Sequence, residues 1–254
     1  MNRVYDDARL AGAYERGNGM PEESLRAWVG LIASYTPRPS PSIIEIGSGT
    51  GIFSAAMARR IEGSEVLAVD ASESMLAEAR RHHPHPAVRY LTGEAEALPV
   101  PANACDLALM SRVVHHLPDR VRAARELARV LRADGRVIIR TTFRERLDAV
   151  VYDYWPRLRA SDERRFPGEE EVVADFLTAG FALEEVTSLA QPVTDSLAAY
   201  HARLTTRPQS KFTHLAPEEF RQGLAALESA VREEALDGPR PVLERYDVAV
   251  FTLS

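Results

Sequence analysis

The stretch Ser42-Ile43-Ile44-Glu45-Ile46, running directly into Gly47-Ser48-Gly49-Thr50-Gly51, constrains this chain more than any other. A short apolar run that stops at glycines reads as a strand covered on both faces, as in parallel sheets. Glycines spaced this closely let the chain turn with positive φ and let a ligand approach the backbone without meeting a Cβ. The helix expected next presents unpaired N–H groups. Strand, glycine turn and helix in that order predict a ligand site. The plainer reading is a turn in which glycine serves only packing.

Around this stretch helical and strand patterns alternate: helix 51–62, strand 65–70, helix 73–82, strand 87–91, strand 105–110, helix 119–131 and strand 135–142. The rhythm predicts a doubly wound, mostly parallel α/β sheet. Ahead of it, Asn2 to Tyr35 reads as helices; Pro21, Glu22 and Glu23 open a second one, and the proline-rich stretch from Thr36 to Pro41 breaks it. Past Arg144 the pattern changes. An aromatic, charged stretch leads to a helix at 169–179, a strand at 181–190, helices at 194–206 and 216–236, and a last strand at 245–253. The last two strands, bringing the sheet to seven, are expected to pair antiparallel, and residues 146–254 to cap the core at 40–145.

A net charge of −6 without a block of Lys and Arg argues against a nucleic-acid partner. Cys105 is the single cysteine, so no intrachain disulfide can form, and a reducing cytoplasm fits. The first twenty residues are too charged for a signal peptide, and no later segment reads as a membrane span. His82, His83 and His85 alternate with prolines in an expected turn, and no metal is assigned to them. A small-molecule partner is the expectation, and a homo-oligomer stays open.

Spacing separates the nucleotide readings of the glycine turn. The dinucleotide fingerprint needs its third glycine where this chain has Ile52, and a P-loop needs a lysine that is missing. A turn without a cationic anchor suits a ligand that lacks a pyrophosphate and carries a sulfonium, with the acidic Glu45 as its neighbour. Asp70 ends the next strand about twenty residues on, where a carboxylate can accept from both hydroxyls of a ribose. Gly93-Glu94-Ala95-Glu96 follows the third strand, and Asp106 to Ser111, then Val113 to Asp119, follow in turn.

In that order the residues from about 40 to 142 resemble the class I, Rossmann-like S-adenosylmethionine-dependent methyltransferases, in particular the group with the ubiquinone and menaquinone C-methyltransferases and many small-molecule enzymes. The resemblance implies that Gly47, Ser48, Gly49 and Gly51 line the methionine part of S-adenosyl-L-methionine. It places Asp70 at the ribose, Met75 at the adenine face, Glu94 and Ala95 at the adenine edge, and Ser111 beside the methionine amino group. Glu45, Thr50, Ala71, Gly93 and Glu96 complete the expected cofactor site. Tyr14-Glu15-Arg16 resembles an element that folds over the cofactor with its arginine near the carboxylate, which makes residues 1–39 a lid. Ala133-Asp134-Gly135 replaces the usual Pro-Gly-Gly, and Glu94 replaces a commoner Asp.

His115 and His116 follow the fourth strand at the edge where ligands of open sheets gather, so either is a candidate general base, His115 the better one. The bland alternative is a pair that only shapes its loop. Tyr152 and Trp155 are candidates to line the acceptor pocket, or to form the core of a small cap. Arg203 and Arg207, one turn apart on an expected helix and near His201 and Lys211, are candidates to hold an anionic acceptor, against the commoner reading of a solvated face. Cys105 reads as core. Direct in-line methyl transfer to an O, N or C nucleophile is the expected reaction. A noncatalytic binder of the cofactor is the alternative. A nucleic-acid methyltransferase is disfavoured because Met110-Ser111-Arg112-Val113 stands where an Asn/Asp-Pro-Pro-aromatic motif would.

Overall fold

A computed structural model describes residues 11–12, 14–15, 19–206 and 210–253. In chain order its elements are α1 (Glu22–Ser34), β1 (Ser42–Ile46), α2 (Ile52–Arg60), β2 (Glu65–Asp70), α3 (Glu73–His82), β3 (Val88–Thr92), β4 (Cys105–Ser111), α4 (Arg120–Val130) and β5 (Leu131–Thr141). They continue with α5 (Val151–Tyr154), α6 (Pro156–Arg165), α7 (Glu169–Thr178), β6 (Phe181–Thr194), α8 (Leu197–Leu204), α9 (Pro217–Asp237) and β7 (Val242–Leu253).

The seven strands form one sheet in the order β3-β2-β1-β4-β5-β7-β6. β1 to β5 run parallel, with β1 between β2 and β4. β7 is antiparallel to β5 and to β6, so the expected antiparallel closing pair is present. β5 begins earlier than the sequence pattern predicts, and its register against β4 shifts between Cys105 and Leu107, across the Ala133-Asp134-Gly135 turn.

Side chains alternate across the central strands, which is why these runs are apolar throughout. Ile44, Ile46, Ala108, Met110 and Ile139 pack with Leu127 of α4 and Phe176 of α7 on one face. Ile43, Leu107, Leu109 and Ile138 pack with Trp28 of α1 and Met57 of α2 on the other. Each such side chain contributes about 1.5–3 kcal/mol when fully buried, so a one-residue slip of β4 would expose no face to water yet would break the fit on both.

A third cluster belongs to the cap. Leu147, Val151, Tyr152, Leu158, Tyr200, Leu204 and Leu227 gather around Trp155. Among the described residues, no helix is long and apolar enough to cross a membrane.

The order β3-β2-β1-β4-β5 reverses direction between β1 and β4. The connections after those two strands therefore diverge to opposite faces and leave a crevice at the carboxyl edge.

Candidate active site

β1 runs into the glycine turn, where Gly47, Gly49 and Gly51 all take left-handed φ values of +65°, +54° and +82°. The turn is pinned by three amides: Ser48 N donates to Val69 O at 3.0 Å, Gly51 N to Ser48 O at 3.0 Å, and Gly49 N to the Asp70 carboxylate at 2.8 Å. A Cβ on Gly47 would lie 2.3 Å from Val113 Cγ2, and one on Gly51 would lie 2.6 Å from Tyr90 Oη. Packing alone forbids a side chain at those two positions. At Gly49 the nearest atom would be Met75 Cε at 3.3 Å, and Gly49 and Met75 both line the crevice.

Asp70, at the end of β2, is held through both carboxylate oxygens: Oδ2 accepts from Gly49 N and Oδ1 from Ser72 N, each at 2.8 Å. Ser72 caps α3, its hydroxyl accepting from Met75 N at 3.3 Å. The glycine turn, the acid and the start of α3 are thus one hydrogen-bonded unit.

The crevice holds a cavity of about 880 Å³, within the range of small-molecule ligand sites. Its core side is lined by Gly47, Gly49, Asp70, Ala71, Met75, the Gly93 to Glu96 turn and Ser111. Its cap side is lined by Leu147, Tyr152, Phe166 and Lys211, with His115 and His116 also on the wall. A small adjoining cavity of about 70 Å³ is lined by Glu45, Ser48, Thr50, Ser111 and Arg203, and Tyr14 lines both. The Ser48 hydroxyl is buried there without a hydrogen-bond partner. A polar orphan in a glycine cradle fits a polar ligand such as the amino-acid end of S-adenosylmethionine.

His115 and His116 lie in a 3-10 turn, Val114–His116, which begins two residues after the left-handed Arg112 (φ +61°). The His115 ring stacks on Phe166 at 4.2 Å and sits 4.1 Å from the His116 ring. Its Nδ1 is buried and has no hydrogen-bond partner. Burial first, then His116 and the charges of Arg112, Arg165 and Lys211, hold His115 well below the ordinary value of 6.5. Burial and the charges of Arg165 and Arg112 push His116 down to about 4. Both imidazoles are neutral at pH 7, the form a base requires.

Several expectations change. Glu45 is buried and accepts a hydrogen bond from Ser54 Oγ, and burial pushes its carboxyl up to about 8, which favours the protonated acid over the expected anionic neighbour for a sulfonium. Trp155 is 2% exposed and lies in the cap core, stacked on Phe220 and edge-on to Phe212, with its indole N–H donating to Phe220 O at 3.3 Å. It lines neither cavity, because the large apolar ring is the piece that fills the cap. Gly51 likewise shapes the turn without lining a cavity. Arg203 donates to Val193 O at 3.3 Å and lines only the smaller cavity. Arg16 and Arg207 lie outside the described residues.

Arg140 on β5 had no place in the sequence reading. It is buried with its guanidinium 3.6 Å from the Tyr246 ring centroid and 4.6 Å from that of Trp28. It donates to Ser111 Oγ at 3.2 Å and to Gln191 Oε1 at 2.9 Å, so it fixes Ser111 on the cavity wall. Its sequence signal was a charge at the end of the apolar run Val137-Ile138-Ile139.

A sheet in this order, with a glycine turn after β1, an acid after β2 and an antiparallel closing pair, is the Rossmann-like fold of class I S-adenosylmethionine-dependent methyltransferases. Residues 44–139 match the methyltransferase domain family. The chain is 28% identical over 144 residues to 2-methyl-6-phytyl-1,4-hydroquinone methyltransferase of Arabidopsis thaliana, covering 56% of this chain and 40% of that one. To malonyl-acyl-carrier-protein O-methyltransferase of Serratia marcescens it is 32% identical over 134 residues, covering 53% and 50%. The chain spans half or less of the length of these curated relatives. Among solved structures, a protein assigned as a methyltransferase of an antibiotic biosynthesis pathway in Anabaena variabilis superposes with a TM-score of 0.76 at 22% identity, over 90% of this chain and 97% of the other.

Proposed function

We propose that this chain transfers the methyl group of S-adenosylmethionine to a nucleophilic O, N or C atom of a small molecule, anionic or aromatic in character. The observation that carries the reading is the Gly49 to Asp70 hydrogen bond on the wall of a cavity that continues past His115 to the cap. In this reading Asp70 accepts from the ribose, Met75, Ala71 and the Gly93 to Glu96 turn enclose the adenine, and Gly47, Ser48, Thr50, Ser111 and Tyr14 surround the methionine end. Tyr14 and the cap residues Tyr152, Phe166 and Lys211 line one cavity, so the described part of the segment before residue 40 acts as lid and the helices flanking β6 as cap. Glu15, in the lid, pairs with His83 at 2.9 Å and so ties lid to core.

The bound cofactor supplies a methyl group already activated on a sulfonium. The protein's residues then supply alignment and exclusion of water. His115, which lines the cavity and is neutral at pH 7, would take the proton of an acceptor hydroxyl or acidic carbon. Incubating the protein with S-adenosylmethionine and a small-molecule extract tests this by mass spectrometry. An acceptor that gains one CH₂ while S-adenosylhomocysteine accumulates supports it. Tight retention of the cofactor with no transfer would make the chain a binding module instead.

A further inference from the structure

We propose that the cap side of the cavity is an anion subsite built on Lys211 and Arg165, and that the methyl acceptor is an organic carboxylate anchored there. The inference rests on the methyltransferase reading for the word acceptor, but the subsite is argued from charges alone.

Lys211 comes from the 3-10 turn Ser210–His214, and its side chain is only 18% exposed. Arg165 closes α6. Both point at one carboxylate, Asp162, which is 1% exposed: Lys211 Nζ lies 3.8 Å from Oδ2 and Arg165 Nη1 lies 3.6 Å from Oδ1. These separations are ion-pair distances, too long for hydrogen bonds. Asp162 instead accepts from the Tyr152 hydroxyl at 2.9 Å, and its Oδ1 has no hydrogen-bond partner. Two cations therefore share one carboxylate that bonds to neither.

Other charged side chains stand on the same side, and Glu244 acts on Lys211 together with Asp162. Arg245 faces Asp148 at 3.9 Å, Glu244 accepts from the Tyr246 hydroxyl, and Arg112 also lines the wall. A half-buried cation without full compensation costs free energy that a ligand anion would recover. Burial already holds the Lys211 ammonium below its ordinary value, with Asp162 opposing the shift. Lys211 also lies 5.4 Å from the Tyr152 ring centroid, so a flat or aliphatic body can rest on Tyr152 and Phe166 while its carboxylate meets the ammonium.

The subsite differs from the one the sequence suggested. Arg203, the described member of the expected pair, lines the smaller cavity beside Ser48 and Thr50, not the wall that carries Lys211.

The test loads the protein with S-adenosylhomocysteine, so that the core side is filled, and titrates benzoate and hexanoate against benzamide and hexanamide by ligand-observed NMR. At least one carboxylate is expected to bind about tenfold or more tightly than its amide. Lys211→Met and Arg165→Gln should each remove about tenfold of that affinity, with S-adenosylhomocysteine affinity unchanged and Lys211→Arg retaining most of the carboxylate binding. If Lys211→Met does not fold, Arg165→Gln, on a partly exposed helix end, carries the comparison. Equal binding of acid and amide, indifference to Arg165→Gln, or no carboxylate binding at millimolar concentration would overturn the subsite. Failure of S-adenosylhomocysteine itself to bind would instead strike the methyltransferase reading.

Discussion

The backbone amide of Gly49 donates to the Asp70 carboxylate at 2.8 Å, joining the turn after β1 to the end of β2. Asp70→Ala removes the proposed ribose acceptor and the anchor of the glycine turn together. Charge-assisted hydrogen bonds contribute about 1.5–3 kcal/mol each, so cofactor affinity should fall at least tenfold. Asp70→Asn keeps an acceptor for one amide and should lose less. Calorimetry showing undiminished affinity in Asp70→Ala would remove the ribose role.

The three left-handed glycines should separate by phenotype. Gly51→Ala drives a Cβ to within 2.6 Å of Tyr90 Oη and should lower the melting temperature. A non-glycine residue held at positive φ costs roughly 1–2 kcal/mol before any clash. Gly49→Val carries similar backbone strain but puts its branches into the cavity, so loss of cofactor affinity should exceed loss of stability. Equal affinity loss in both variants would contradict the assignment of Gly49 to the ligand wall.

In its proposed role as base, His115 sets the acid side of the rate profile. An unperturbed histidine would lose the basic form below about pH 6.5. Held lower by burial, His115 stays neutral further into acid, so turnover should remain level through pH 6 and fall only well below it. His115→Ala should reduce turnover by roughly a hundredfold with cofactor affinity nearly unchanged. A parallel loss of affinity or melting temperature would make it a loop-shaping residue. Stability follows the same sign. The unfolded chain protonates both histidines below about 6.5 while the folded one resists, so stability should drop as pH falls from there towards 4, the value for His116.

Trp155→Ala should act on the cap alone. Removing a ring packed on Phe212 and Phe220 leaves a void, and such truncations cost about 3–5 kcal/mol. The melting temperature should fall sharply while S-adenosylhomocysteine still binds the core. Lost cofactor binding at a temperature where the variant is folded would place Trp155 at the site after all.

The core was legible because its signals are local. Runs such as Ile43 to Ile46 and Leu107 to Met110 are apolar at every position since both faces are covered, and the glycine turn announces the ligand edge in a few residues. Two kinds of position resisted. Glu45 sits inside a buried strand, and only the packing of α2 shows that its carboxyl meets Ser54 and that burial raises its pKa. The cap's roles depend on contacts between segments far apart in the chain: Trp155 finds Phe220, and Lys211 finds Asp162, only once α6, α9 and the turn between α8 and α9 are folded together. Aromatic and basic residues in that region look alike in sequence, whether they fill a core or face a ligand.

The most direct test of the central claim is calorimetric titration of the whole chain with S-adenosylmethionine in the presence and absence of competitors. The account predicts one site per chain with a dissociation constant of about micromolar or tighter. It also predicts displacement by S-adenosylhomocysteine and none by NAD or ATP, which the turn at Gly47 to Ile52 lacks the third glycine and the lysine to hold. Absence of binding, or displacement by either nucleotide, would contradict it.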